Sequence, residues 1–310
     1  IEITFYGGGV NKPAILTNDG SPFSLLVTGE YVTVCGIEVS NERGKNGILL
    51  KSGINGATRG VTVSGCYVHN VWTIHELGIR ETGAHWQDNT GGISVESGCG
   101  ELSRYEGLRI EHNTVENVNR TGIRIGSGQN TSDNGFKPSA DSNIYIGYNR
   151  VDHAWGSGIV AEDCDNLLIE HNRIFCANCK SRHNSRNIAV WSINCNGARV
   201  RCNEVAYTGI ELGDGGGAFG IERCCGSIYE YNFSRDNAGG FISVCSGKDS
   251  SGENIIRNNL SVNDAHGAES AVFEIAEILQ NVYFLNNTVY NSHNHRCCLY
   301  RGCGSLQGTV

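Results

Sequence analysis

The chain has 310 residues, a formal net charge of −8 at pH 7, 42 glycines and 14 cysteines. The negative charge and the lack of any Lys/Arg run argue against a nucleic-acid partner, because such partners are bound through clustered basic side chains. No stretch of the sequence is apolar over enough consecutive residues to span a membrane, and the glycine content disfavours long helices.

One short sequence pattern recurs along the chain. Each copy alternates apolar and polar residues around a fixed position that is usually Asn, which is typical of two strands joined by a turn. In chain order the copies are TVCGIEV at Gly36, VSGCYV at Cys66, IEHNTV at Asn113, IGYNRV at Asn149, IEHNRI at Asn172, VRCNEV at Asn203, YEYNFS at Asn232, IRNNLS at Asn259 and FLNNTV at Asn287. The fixed positions are 23 to 47 residues apart, and such a period indicates a solenoid.

A second apolar element follows most copies. It reads TGIRI at 121–125, SGIVA at 157–161, NIAVW at 187–191, GGFISV at 239–244 and AVFEI at 271–275. One coil then contains a strand, the Asn turn, a strand, a Gly turn and another strand, in about 20–30 residues. We therefore predict an all-β fold, a single parallel β-helix domain over 1–310. The Asn side chains are expected to stack and hydrogen-bond to one another, with each Asn in the left-handed backbone conformation of the turn.

The cysteines allow two interpretations. In a secreted protein they would form a disulfide framework. Alternatively, Cys164, Cys195, Cys224, Cys245 and Cys303 each follow the second element by a few residues, and a solenoid would stack them as small buried thiols in one column. We predict that most of the cysteines are free and stacked.

The repeat pattern resembles the right-handed parallel β-helix superfamily, the pectate-lyase-like fold, over about residues 30–300. The longest steps of the repeat predict loop insertions near 70–107 and 126–141. Long loops on a rigid scaffold commonly carry binding residues. In the first insertion we therefore predict His85 and Trp86 as substrate-binding residues.

Polar and aromatic residues concentrate between 152 and 241. Stacked coils are ~4.8 Å apart, so carboxylates from nearby coils can reach the separations that glycosidases use. The predicted catalytic residues are Asp214, Asp236, Asp163 and Glu222, and the further predicted substrate-binding residues are His153, Trp155, Trp191, Arg223 and Arg235. Turn capping and ordinary wall packing are the competing interpretations of the same residues.

The segment GDGGGAFGIERCCGSIYEYNFSRDNAGGF at 213–241 resembles secreted β-helix glycoside hydrolases, including fucosidase-like and xylanase-like members. Positions that match those proteins are Asp214, Asn232, Ser234, Asp236, Asn237, Gly239, Gly240 and Phe241. Gly220 stands where those proteins commonly have Asp, and Arg235 stands where His is common. The resemblance implies a glycoside hydrolase that cleaves a polysaccharide or oligosaccharide in a groove on the β-helix wall.

Two other functions remain open. The first is a polysaccharide lyase on a uronate polymer, with Arg223 or Arg235 as the base and calcium bound by oxygen ligands. The second is a non-catalytic carbohydrate-binding or adhesive solenoid, which the glycine at position 220 favours. No cofactor or metal other than calcium is expected. The strand-like start IEITFYG predicts a mature or trimmed chain, and we expect it to be secreted, periplasmic or at the cell surface. The sequence predicts no oligomeric state.

Overall fold

The computed structural model describes residues 1–4, 13–53, 55–72, 90–97, 103–126, 141–179, 187–210, 216–245, 252–267, 270–276 and 281–292, and the backbone of 298–303. All regular secondary structure in these ranges is β-strand. Accordingly, the described part of the chain contains no helix that is long and apolar enough to cross a bilayer.

The strands form three ten-stranded parallel sheets, which each coil of the chain enters in turn, and a fourth sheet of four strands. Sheet A consists of Glu2–Ile3, Thr33–Cys35, Thr62–Ser64, Arg109–Glu111, Tyr145–Gly147, Leu168–Glu170, Arg199–Arg201, Ile228–Glu230, Asn254–Arg257 and Val282–Leu285. Sheet B consists of Ala14–Thr17, Glu38–Asn41, Tyr67–Val71, Thr114–Val118, Arg150–Ala154, Arg173–Phe175, Glu204–Ala206, Phe233–Arg235, Leu260–Val262 and Thr288–Tyr290.

Sheet C consists of Phe23–Thr28, Asn46–Lys51, Gly91–Glu96, Thr121–Gly126, Ile159–Glu162, Ile188–Ile193, Gly217–Glu222, Ile242–Cys245, Ala271–Ala276 and Cys298–Cys303. Sheet D follows sheet C in four coils and consists of Ala57–Arg59, Arg104–Glu106, Asp141–Ser142 and Cys164–Asp165. The chain passes through sheets A, B and C in every coil, so the predicted all-β parallel β-helix is confirmed.

Strands of the coils occupy part of both predicted insertions. Within 70–107, residues 91–96 and 104–106 are strands of sheets C and D, and 73–89 and 98–102 lie outside the described residues. Of the second insertion, 127–140 lies outside the described residues. The first predicted insertion therefore contains a whole passage through sheet C, Gly91–Glu96, which the sequence analysis did not assign to a coil.

The core is a stack of matching side chains from successive coils. In sheet A, for example, Val63, Ile110 and Ile146 pair in register and are fully buried. Aromatic rings fill the later coils, where Phe219, Phe241 and Phe273 pack edge to face with centroids 5.5 and 6.1 Å apart. Full burial of each such side chain contributes about 1.5–3 kcal/mol, so the stacked interior is the main source of stability.

The predicted Asn ladder runs through the corner between sheets A and B. Asn149 Nδ2 donates to Asn172 Oδ1 at 3.0 Å, and Asn172 Nδ2 donates to Asn203 Oδ1 at 3.0 Å. Each ladder oxygen also accepts the backbone N–H of the preceding Asn, as Asn172 Oδ1 does from Asn149 N at 2.9 Å. The ladder extends from Asn113, which accepts from the Cys66 N–H, to Asn287. It is confirmed as a continuous column, which is buried from Asn113 to Asn259.

The backbone conformation predicted for the ladder Asn is wrong. The left-handed residue is the one immediately before it: His112, Tyr148, His171, Cys202, Tyr231, Asn258 and Asn286, with φ between 51° and 57°. The ladder Asn must direct its side chain into the wall, so the corner is turned by its outward-facing neighbour. His112, Tyr148 and His171 illustrate this, because they are exposed and stack ring on ring with centroids 5.0 and 4.8 Å apart.

The cysteine column is shorter than predicted. Cys164, Cys195 and Cys224 stack in adjacent coils, with Cys195 N–H donating to Cys224 Sγ at 3.4 Å, and burial raises the pKa of the Cys195 and Cys224 thiols. Cys245 pairs with Glu222, and Cys303 pairs with Ala276, so both lie two positions away from this column. None of the cysteines whose side chains are described forms a disulfide.

Candidate functional site

Sheet C has an outward face that carries a mixed row of apolar, polar, aromatic and charged residues. The residues on either side of this row, such as Val190 and Ile221, belong to the core, and alternation along a strand directs the residues between them away from it. The row, in register order, is Leu49, Ser94, Arg124, Val160, Trp191, Gly220, Ser243 and Glu274. Sheet C thus presents a line of chemically different side chains that crosses many coils.

A cleft of about 200 Å³ lies on this face, towards the later coils. Its lining residues are Ile188, Trp191, Gly217, Gly239, Ser243, Ser270, Glu274 and Ala276. Trp191 is partly exposed at one end, and Glu274 lies three strands further along the same row. At ~4.8 Å per strand, their backbones are separated by ~14 Å along the stack. The sheet C cleft therefore combines an indole, two hydroxyls and a carboxylate.

Gly220 shapes the floor beside the indole. A Cβ at this position would lie 2.9 Å from Trp191 Cδ1 and 2.7 Å from Ile188 Cδ1, which is closer than packed carbon atoms approach. The absence of a side chain at Gly220 thus leaves room for Trp191 and Ile188 in their observed positions. The ring of Trp191 and the side chain of Ile188 therefore cover the position of Gly220.

A charged cluster on the same face joins Arg124 of this row to glutamates two residues further along the strands. Arg124 Nη2 is 3.0 Å from Glu162 Oε2, and both side chains are buried. Burial raises the pKa of Glu162, while the charge of Arg124 opposes that rise and the neighbouring Asp163 carboxylate adds to it. Glu222 occupies the same register row as Glu162, two strands away. Its Oε1 forms an ion pair with Arg223 Nη2 at 3.1 Å.

The structure separates two of the predicted catalytic carboxylates, those of Asp163 and Asp236. Asp163 follows the last residue of a sheet C strand, is buried, and accepts a hydrogen bond from Asn194 Nδ2. Asp236 lies at the opposite end of sheet C, in the corner that follows a sheet B strand. A six-residue strand is ~20 Å long, so these two carboxyl groups are at the two ends of the sheet. Asp214 lies outside the described residues, two positions before Gly216.

Of the predicted substrate-binding residues that the structure describes, Trp191 is the one that lines the cleft. Trp155 is 9% exposed and packs edge-on against Trp72, with ring centroids 5.0 Å apart. Arg235 binds away from the cleft, 3.4 Å from Glu204 Oε1 and with its guanidinium over the ring of Tyr207.

Three further predicted residues complete this comparison. His153 is exposed in the corner between sheets B and C. His85 and Trp86 lie outside the described residues.

The sequence reading missed Glu274, Ser243 and Arg124 as residues of this face. A signal for them was present, because TGIRI, NIAVW, GGFISV and AVFEI are the same strand in different coils. Aligning these segments by their apolar residues would have placed Arg124, Trp191, Ser243 and Glu274 in one row.

Comparison with known proteins agrees with this architecture. No known protein-family profile matches the chain. A lacto-N-biosidase of Bifidobacterium longum subsp. longum is 27% identical in an alignment of 271 positions that covers 76% of this chain and 16% of that protein. The crystal structure of a GH136 lacto-N-biosidase from Eubacterium ramulus is 20% identical, with a TM-score of 0.71 over 98% of this chain and 57% of that one.

A second solved structure is similar at lower identity. The enzymatically active domain of tailspike protein 2 from bacteriophage CBA120 is 11% identical, with a TM-score of 0.54 over 96% of this chain and 45% of that one. The chain thus spans about half of the solved lacto-N-biosidase and a smaller part of the Bifidobacterium protein. Together with the coil-by-coil register, these likenesses identify the fold as a parallel β-helix.

Proposed function

We propose that this protein is a glycoside hydrolase that acts on an oligosaccharide bound in the sheet C cleft. The observation that carries the proposal is the presence of Trp191, Ser243 and Glu274 in one cleft on the outward face of sheet C. Proteins named lacto-N-biosidase are similar to this chain in sequence and in fold, which supports an oligosaccharide substrate, with a lacto-N-bioside as the first compound to test.

The cleft offers a sugar-stacking ring, two hydroxyls and one of the two carboxyl groups that such a reaction needs. The face of the Trp191 indole can stack on the apolar face of a sugar ring, and the Ser243 and Ser270 hydroxyls can donate to or accept from sugar hydroxyls. Glycosidases require two carboxyl groups, one to protonate the leaving oxygen and one to attack the sugar or activate water. We assign these roles to Glu274, in the cleft, and Asp214, which precedes the cleft residue Gly217 by three positions.

The lyase alternative receives less support from the arginines named for it. Arg223 Nη2 is 3.1 Å from Glu222 Oε1. For Arg235, burial lowers the pKa, but the contacts with Tyr207 and Glu204 outweigh burial, and the pKa is raised overall. A guanidinium with a raised pKa is a poorer proton acceptor.

A binding solenoid without catalysis is the second candidate, and Gly220 is the observation that favours it. Gly220 lies in the same row as Trp191 and Glu274 and supplies no carboxylate there. In that case the cleft would hold an oligosaccharide on Trp191 without cleaving it.

The test is turnover of a chromogenic lacto-N-bioside and of an oligosaccharide panel, with new reducing ends and the ultraviolet absorbance of unsaturated sugars followed together. We expect reducing ends without absorbance. Glu274→Gln and Asp214→Asn should each lower kcat by at least about 100-fold, the smaller end of the contribution of acid–base catalysis, while Trp191→Ala should mainly raise KM. Glu116→Gln on the exposed face of sheet B is the matched control and should change neither constant.

The remaining outcomes separate the alternatives. Absorbance of unsaturated products would establish a lyase and contradict the proposal. Oligosaccharide binding that is lost in the Trp191→Ala variant, without turnover of any compound, would establish the binding solenoid.

A further inference from the structure

The corner between sheets B and C contains a second column of left-handed residues. The register of sheet B aligns Asn70, Asn117, His153, Cys176, Tyr207, Asp236 and Asn263, all with φ between 50° and 62°. In several coils the column is Asn, a residue that tolerates this conformation, and Asn117 Nδ2 donates to Asn70 Oδ1 at 2.7 Å. The column is therefore a place where side chains of successive coils meet at the surface.

Two members of this column, in adjacent coils, are metal-binding residue types. His153 and Cys176 are in matching positions, and the neighbouring Asp152 faces outward on sheet B. The left-handed backbone at His153 breaks the usual alternation of the strand, so His153 and Asp152 lie side by side. One donor atom from each of Asp152, His153 and Cys176 lies within 4.8 Å of the other two.

The two oxygens of the Asp152 carboxylate have different neighbours. Its Oδ2 is held by Arg150 Nη2 at 2.5 Å. Its Oδ1 lies 2.7 Å from His153 Nδ1, yet it is shielded from solvent and accepts no well-aligned hydrogen bond within the described part of the chain. A carboxylate oxygen in such a position has the geometry of a ligand directed toward a shared centre, because buried polar atoms otherwise find a hydrogen-bond partner.

We propose that Asp152, His153 and Cys176 bind a zinc ion. The set of one imidazole nitrogen, one sulfur and one carboxylate oxygen suits Zn²⁺, whereas Ca²⁺ and Mg²⁺ require oxygen ligands almost throughout. Ligands at zinc are ~2.0–2.3 Å from the ion, which places them about 3.3–3.8 Å from one another in a tetrahedron. The three donor atoms lie within 4.8 Å of one another, and Asp152 Oδ1 and His153 Nδ1, 2.7 Å apart, would separate slightly on binding the ion.

The surroundings fit an open zinc site. His153 is exposed, and Cys176 is partly exposed and forms no disulfide, so the ion has a path from solvent and a water molecule can take the fourth position. Arg150 holds the second oxygen of Asp152 and so orients the carboxylate, as residues behind a metal ligand commonly do. The ion would tie two adjacent coils together and displace a proton from the Cys176 thiol, so zinc binding should weaken as the pH falls.

The test is two titrations of the whole chain in the presence of a reductant. Zn²⁺ binding is measured by calorimetry. Co²⁺ binding is measured by absorbance, because the thiolate-to-cobalt charge-transfer band reports sulfur ligation. His153→Asn and Cys176→Asn remove one ligand each and insert the residue that the same column has at Asn70 and Asn117, so both variants should fold. Loss of an outer-shell partner alone costs about 10–100-fold in metal affinity, so each variant should raise the zinc Kd by at least about 100-fold.

Cys202→Asn is the matched control. Cys202 is also partly exposed and left-handed, with φ of 54°, but it lies in the corner between sheets A and B, so its replacement should leave the zinc stoichiometry and the cobalt spectrum unchanged. Zinc should also raise the melting temperature of the wild type and of Cys202→Asn, and not that of the two ligand variants. Absence of zinc binding by the wild type, or an unchanged stoichiometry in both ligand variants, would overturn the proposal.

Discussion

Replacement of Asn203 by Ala tests whether the ladder is a source of stability or a by-product of stacking. Asn203 Oδ1 accepts from Asn172 N at 2.9 Å and from Asn172 Nδ2 at 3.0 Å, and Asn203 Nδ2 donates to Ile169 O and to Asn232 Oδ1, both at 3.0 Å. The substitution leaves the buried N–H of Asn172 without its acceptor, at about 1–3 kcal/mol. The two lost donor bonds add about 0.5–1.5 kcal/mol each. The free energy of unfolding should fall by about 2–6 kcal/mol.

The matched control is Asn287→Ala, at the end of the same ladder. Asn287 has the same hydrogen bonds to Asn259 and to Ile256 O, but it is only partly buried, so water can replace the lost partners at lower cost than at Asn203. Urea unfolding followed by circular dichroism, with hydrogen exchange to locate the opened coils, measures both variants. Equal destabilisation by the two substitutions, or less than about 1 kcal/mol for Asn203→Ala, would refute the assignment of stability to buried amide pairing.

Two other substitutions test the cleft and a buried carboxylate. Gly220→Ala should displace Trp191, destabilise the protein by about 1–3 kcal/mol and weaken oligosaccharide binding. The control Gly53→Ala, whose added Cβ meets nothing closer than 3.8 Å, should have none of these effects. Equal oligosaccharide Kd values for the two variants would contradict the prediction. Burial raises the pKa of Asp141 to about 7, against opposing hydrogen bonds. Since the folded state holds this proton more tightly, the protonated Asp141 adds up to about 4 kcal/mol to the free energy of unfolding. This stabilisation is complete below pH ~4 and is lost as the pH rises to ~7. Asp141→Asn should remove this dependence from urea midpoints measured across that range, and an unchanged pH profile would show that the shift is absent.

The repeat was readable from the sequence because each coil repeats the same local chemistry. A ladder Asn between alternating apolar residues is a requirement of every corner, so it recurs even where coil lengths differ. The exact register was not readable. Gly36 was aligned with the ladder, but the pairing of Glu38 with Tyr67 places Ile37 opposite Cys66. Cys245 was aligned with Cys224 and instead pairs with Glu222. Coil lengths vary, and counting from the nearest apolar pair does not reveal a shift of one or two residues.

The candidate site was less readable, because its residues become neighbours only through the stacking of coils. Trp191 could be selected as an isolated aromatic residue, but Glu274 has no local feature that distinguishes it from a surface glutamate. Likewise, His153 and Cys176 are 23 residues apart in sequence, and only the shared corner makes them adjacent.

The sequence by itself determined the coil: its strands, its Asn corner and its buried apolar faces are local patterns that any copy must contain. The tertiary structure decided which coil positions coincide, and therefore which side chains share the outward face of sheet C and the corner between sheets B and C. The physical reason is that hydrogen bonding between parallel strands fixes register only after the coils have stacked, so contacts between coils depend on the lengths of all the turns between them.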